Sequence, residues 1–188
     1  MIRLLQRFAI LAYLICEGNK KWGKVGHTYI QKLVYLLQEG LKVNLGYRFK
    51  MHYYGPYSEE LWASLTSMEG MKLISIKVAP TTYGYNIYIS PLDKAYKFAE
   101  EVEVKDKDKD FEGIKRQASK LISLFEGKST RDLELLGTCH FVYQILKKRG
   151  KEADASSVAK VVLNLKPHFN EEQVKDALKL LKERELLN

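Results

Sequence analysis

The chain has 188 residues, 46% hydrophobic and 29% charged, with a formal net charge of +8 and a sequence pI near 9.3. This is the composition of a globular protein able to bury a sizeable core, in one ordinary domain or two small ones. The basic balance raises the prospect of a nucleic-acid or other acidic partner, but residues 1–104 and 105–188 each carry +4, so neither half is a basic tail.

Cys16 and Cys139 lie in apolar helical patterns far apart in sequence. They do not form a disulfide framework and read as small buried hydrophobes. The longest apolar run, Phe8 to Cys16, falls short of the roughly 20 residues a membrane span needs. Glu17, Asn19, Lys20 and Lys21 follow it where a signal peptide would carry small residues, so it reads as a buried helix and places the protein in the cytoplasm.

In chain order, residues 2–16 predict a first helix and Gly18 to Gly26 a turn-rich loop. Thr28 and Gln31 have capping-box spacing for a second helix, with Ile30, Leu33, Val34, Leu37 and Leu41 as its apolar stripe. Tyr47 to Tyr54 alternates as a strand, and Gly55-Pro56 breaks it. Ser58 is a natural N-cap for a third helix ending at Gly70, with Glu59 and Glu60 in its first turn. Two strands near 72–78 and 83–89 predict a hairpin. Pro91 is expected at the first position of a fourth helix running to about Val102. Residues 105–110 alternate Lys and Asp with no apolar residue and predict a charged linker. Helical patterns follow near 111–126, 130–149, 154–166 and 170–186, the last opening on a capping-box-like Asn170–Gln173 pair.

The expected fold is therefore α+β and mainly helical. A winged-helix-like binding domain (residues 1–104, helices plus a three-stranded antiparallel sheet) precedes the charged linker (105–110) and an all-helical domain (111–188).

No motif makes a convincing catalytic site. Gly18 to Lys24 has phosphate-loop spacing, but Val25 stands where a Ser or Thr hydroxyl must bind magnesium, and Gly26 and His27 delay the next helix. The ordinary reading is a basic interhelical loop; the alternative is a nucleotide-binding enzyme. His27, His52, His140 and His168 are scattered without metal-ligand spacing, and Cys139 and His140, being adjacent, point about 100° apart on a helix. No cofactor or metal is expected.

Tyr53-Tyr54-Gly55-Pro56-Tyr57-Ser58 is the most distinctive segment, either a recognition surface or a strand-to-helix corner plugged by aromatics. No Lys or Arg lies between Ser58 and Gly70, so ordinary major-groove binding by the third helix is disfavoured; its expected exposed positions are Glu59, Glu60, Ser64, Ser67 and Glu69. Arg48, Lys50, Lys72 and Lys77 are candidates for gripping phosphate from the sheet and wing. Tyr83, Tyr85 and Tyr88 are candidates for base stacking, although tyrosines also simply suit strands. Lys147 to Lys151 is a basic helix end, read as a solvated cap or a contact for an acidic partner.

Gln31-Lys32-Leu33-Val34-Tyr35-Leu36-Leu37-Gln38, Tyr47-Arg48-Phe49 and Tyr54 to Leu61 together resemble a known pattern. Leu133-Glu134-Leu135-Leu136, Leu165 to Asn170 and Ala177-Leu178 extend the likeness over most of the chain. The chain resembles the YwgA-like proteins, related to the Panacea antitoxin and proteolysis-adaptor domains. The resemblance implies a winged-helix-like core, no enzyme activity and, for the antitoxin branch, neutralisation of a partner toxin. The chain departs from the commoner Panacea form, with Gly-Pro-Tyr where Gly-Pro-Val is usual.

The leading expectation is a non-catalytic winged-helix regulator acting on a protein partner, with Lys32, Tyr35, Tyr54, Gly55, Pro56 and Tyr57 as the contact surface. The alternative is a nucleic-acid-binding transcriptional regulator.

Overall fold

A computed structural model of the chain describes residues 4–82, 84–106 and 109–187. The protein is mainly helical, with a three-stranded and a two-stranded antiparallel sheet. Helix α1 (Leu4–Trp22) is apolar nearly all round and runs through the core. It reaches past the expected end because Gly18 is not a turn residue: a Cβ there would lie 2.8 Å from the Trp22 ring and 3.2 Å from Val25. The glycine permits close approach, and it is Gly23, at φ +72°, that ends the helix.

Strand β1 (Val25–Gly26) follows, so 18–26 is helix and strand for most of its length and not a loop. Helix α2 (His27–Tyr35) continues as a π-helical turn, Leu36–Gly40. Its Thr28 makes no capping box; the N-cap is Gly26, and Gln31 is used elsewhere. Of the expected 47–54 strand only Lys50–His52 is extended; this is β2, and it pairs with β3 (Gly55–Tyr57). Tyr47 is instead held by Gln38, whose side-chain amide donates to its carbonyl (2.7 Å) and accepts from its N–H (2.9 Å).

Helix α3 (Glu59–Gly70) starts where expected, with Ser58 Oγ accepting from the Leu61 N–H. The hairpin of β4 (Ile74–Thr81) and β5 (Gly84–Pro91) then forms a sheet in the order β1-β5-β4. A three-stranded sheet is present, but its third strand is Val25–Gly26 and not 47–54. Pro91 ends β5 opposite Ile74, and helix α4 (Asp93–Asp106) starts two residues later.

The second half is helical: α5 (Lys109–Phe125), α6 (Thr130–Lys148), α7 (Ala155–Leu165) and α8 (Glu171–Glu183). Asn170 and Gln173 form the expected capping box, and Ser129 with Asp132 forms another. Of the expected charged linker 105–110, residues 105–106 lie in α4 and 109–110 in α5; residues 107–108 lie outside the described residues. The hydrophobic core continues across this stretch. α5 packs on α1, α6 packs on α2 and β3, and α7 and α8 close over α6.

Candidate interaction site

The β2–β3 corner is built from below. Gln31 and Lys32, both buried on α2, face the corner's backbone. Gln31 accepts from the Ser58 N–H (2.9 Å) and donates to the Ser58 carbonyl (3.1 Å), while Lys32 Nζ donates to the Pro56 carbonyl (2.7 Å). From the end of α7, buried Lys166 Nζ donates to the carbonyls of His52 (3.2 Å) and Tyr53. Two lysine ammonium groups thus hold three of the corner's carbonyls.

One turn of α6 forms the floor. Gly137 lets the corner approach: a Cβ there would lie 3.1 Å from Lys32 Cδ and 3.2 Å from Pro56 Cδ. Gly55, at φ +82°, has equally little room, with Thr138 Oγ1 at 3.0 Å and the Glu134 carbonyl at 3.2 Å from a Cβ position. Buried Glu134 faces Lys166 Nζ at 3.0 Å and His168 Nε2 at 3.5 Å. Its Oε1 lacks an aligned hydrogen bond, as does Thr138 Oγ1. Burial pushes the Lys32 ammonium down to about 7; Glu134 opposes this and Lys166 adds to it. Lysines with such values serve as bases or nucleophiles elsewhere. Here Lys32 is 2% exposed, so a substrate reaches Nζ only if the corner lifts.

Above this floor the tip is open: Tyr53 is 79% and Tyr54 61% exposed. An aromatic row leads away from it. The ring of Tyr53 lies 5.1 Å from that of His52, His52 lies 5.2 Å from Tyr57, Tyr57 lies 5.7 Å from His27, and His27 lies 4.7 Å from Trp62 on α3. Burial, with the charge of Lys32 added, pushes His27 down to about 4, so near neutral pH it is an uncharged member of the row.

The expected contact set is divided by this geometry. Tyr54 is at the surface, Tyr57 is half-buried, and Gly55 and Pro56 are buried as the corner's underside. Lys32 and Tyr35 must be corrected: both are interior and cannot meet a partner. A helical residue at an apolar-stripe boundary faces in or out according to what packs on it, and α6 covers this side of α2. Tyr35 OH donates to His140 Nδ1 (2.7 Å), and His140 Nε2 donates to the Leu186 carbonyl (3.0 Å), which needs the neutral imidazole. Burial accordingly pushes His140 down to about 4.

The candidate phosphate grip is dispersed. The Arg48 guanidinium pairs with Glu60 (2.5 Å), and its backbone N–H donates to the same carboxylate (2.9 Å). Lys50 is on the smaller sheet, Lys72 is in the turn before β4, and Lys77 and Tyr85 project from opposite faces of the β4–β5 hairpin. Tyr83 lies outside the described residues.

On α3, Glu59 and Ser67 are exposed as expected, whereas Ser64 is buried against Tyr47, and Glu69 accepts from the Ile76 N–H (2.7 Å). The phosphate-loop stretch is helical from Gly18 to Trp22, so over those residues it is neither the basic interhelical loop of the ordinary reading nor a cradle of free N–H groups. Burial pushes the Cys139 thiol up to about 12 and Cys16 up to about 11, away from thiolate chemistry. Among the described residues no group of three or more His, Cys, Asp or Glu is placed to hold a metal ion, and no helix is long and apolar enough to cross a membrane.

Glu134, Thr138, Gln31, Lys166 and His168 were not among the expected site residues. They fall in or beside three short segments, 31–38, 133–136 and 165–170, with no local motif to mark them; the structure brings those segments together at the corner. Neither a protein-family model nor a curated protein matches the chain.

Proposed function

We propose that this chain is a non-catalytic regulator of winged-helix type that acts by binding a protein partner through the Tyr53–Tyr57 corner. The observation that carries the reading is the pairing of an exposed, aromatic tip with a backbone locked from below by Lys32, Lys166 and Gln31. Tyrosines on a rigid support lose little conformational freedom on binding, which is how aromatic anchors contribute affinity. The element order supports the winged-helix part. A short strand lies between the first two helices, beside the returning strand of a hairpin that follows the third helix, and the β2–β3 corner is then an insertion between helices two and three. The sequence likeness supports an antitoxin- or adaptor-like role, played in the cytoplasm.

A protein partner is favoured over nucleic acid because α3 has no cation and Arg48 is occupied by Glu60. The test is capture of partners from the native host with wild type and with a Tyr53→Ala, Tyr54→Ala double variant of unchanged thermal stability. The double variant is expected to lose the partner. Retention of every partner by the variant, or recovery of salt-sensitive nucleic acid in place of protein, overturns the reading.

A further inference from the structure

Arg131 stands in the first turn of α6, one turn before Glu134 and two before Thr138 on the same face, so it lies at the rim of the floor beneath the corner. The segment between α7 and α8 ties the two together. Its Lys166 holds the carbonyls of His52 and Tyr53, and its His168 and Phe169 hold Arg131. Arg131 Nη2 donates to the His168 carbonyl, and the guanidinium lies 5.3 Å from the centre of the Phe169 ring, itself 4.3 Å from the His168 ring. Phe169 is buried, so the guanidinium rests on a fixed platform.

The group is held in place but not neutralised. Among the described residues no carboxylate lies within ion-pair distance of Arg131. The adjacent Asp132 is turned back on Ser129 as the helix cap, accepting from its N–H (2.8 Å) and its hydroxyl (2.7 Å). One of the five guanidinium N–H groups is used, so an edge with two parallel donors remains. Arg131 and His168 are exposed, whereas Glu134 is buried and faces inward, accompanied by two buried lysines, Lys32 and Lys166. This side of the corner therefore presents positive charge outward, beside the exposed rings of Tyr53 and Tyr54.

We propose that the contact surface of the corner extends to Arg131, which takes a carboxylate of an acidic segment of the protein partner through two parallel N–H groups. The inference rests on the reading of Tyr53 and Tyr54 as contact residues and names the partner chemistry that goes with them. A guanidinium already fixed by a ring and a carbonyl loses little freedom on binding, and its planar edge matches a carboxylate. Phosphate fits the same edge, but Glu59 and Glu60, at the start of α3 on the other side of the corner, oppose a continuous phosphate backbone.

Nuclear magnetic resonance of the full chain tests it, read at the Arg131 Nε–Hε pair and at the His168 and Phe169 amides, with blocked tetraglutamate, blocked tetralysine and oligo-dT as probes. Tetraglutamate at millimolar concentration is expected to give saturable shifts at all three, and tetralysine none. Arg131→Glu, at unchanged thermal stability, is expected to lose the amide shifts. Arg131→Lys, which keeps the charge but not the two-donor edge, is expected to weaken them several-fold. No shift with tetraglutamate, an equal shift with tetralysine, undiminished amide shifts in Arg131→Glu, or tighter binding of oligo-dT overturns the proposal. In capture from the native host, Arg131→Glu is expected to lose the partner that wild type holds. Retention by Arg131→Glu with loss by the Tyr53→Ala, Tyr54→Ala variant overturns the role of Arg131 and leaves that of the corner; retention by both overturns both.

Discussion

The β2–β3 hairpin has three residues a side and is held by side chains from α2, α6 and the end of α7, whereas β4–β5 has eight residues a side and is held mainly by its own ladder. A two-stranded ribbon is marginal alone in water, and the short one has too few ladder bonds to fix its shape. Three of its carbonyls accept from the buried lysines Lys32 and Lys166, and Lys166 faces Glu134. The long one needs no such support, so its tip can consist of exposed apolar and uncharged residues. Rigidity thus comes from buried charge in one hairpin and from backbone pairing in the other.

The largest test of that contrast is Glu134→Gln. It leaves Lys166 without its facing carboxylate and removes the charge that favours the Lys32 ammonium. Breaking a buried pair on one side costs about 3–5 kcal/mol. Urea unfolding should show a loss of that size, while Lys77→Ala on the long hairpin should move stability by less than about 0.5 kcal/mol. Comparable losses from the two would mean that the corner does not depend on its ions.

Acid gives the next largest effect. The folded-state value of His140, about 4, lies below its ordinary value of about 6.5. The unfolded chain therefore takes up the proton first, and the stability present above pH 6.5 is lost as pH falls toward 4. The loss is on the order of 3 kcal/mol, with His27 adding to it in the same window. A His140→Gln variant should flatten the pH dependence of the unfolding midpoint between pH 4 and 6.5; an unchanged slope would assign it to other groups.

Two glycines sharpen the comparison further. Gly55 and Gly84 both have positive φ, at +82° and +141°, but a Cβ at Gly55 meets three atoms within 3.2 Å and one at Gly84 meets nothing within 4 Å. Gly84→Ala has only the backbone strain of about 1–2 kcal/mol to bear, and Gly55→Ala adds overpacking of about 1 kcal/mol or more. Thermal melts should rank Gly55→Ala as the more damaging. The smallest effect is expected at the tip itself: Tyr53→Ala and Tyr54→Ala should each change stability by less than about 0.5 kcal/mol, because neither ring is buried.

Elements whose signals are local were legible in advance. Ser58 and Asn170 cap the helices they were expected to cap, since a cap depends on residues within one turn. The four helices of the second half fall close to their expected ranges, as strong periodicity allows. Residues with two possible uses were misread. Gly18 signalled a turn but serves a close contact, and Gln31 signalled a cap but grips Ser58, 27 positions away. The tyrosine corner was visible as a feature, while its supports were not.

By itself, then, the sequence determined a mainly helical chain with a hairpin after the third helix, an aromatic Gly-Pro corner, and a third helix without cations. Only the tertiary structure decided that Lys32 and Tyr35 point inward, that Val25–Gly26 and not 47–54 completes the sheet, and that Glu134 and Lys166 meet the corner. Each of those outcomes depends on pairing between groups distant in the chain. A buried lysine is tolerable only where a carbonyl and a carboxylate come to meet it, and no local pattern records the approach of residues a hundred positions away.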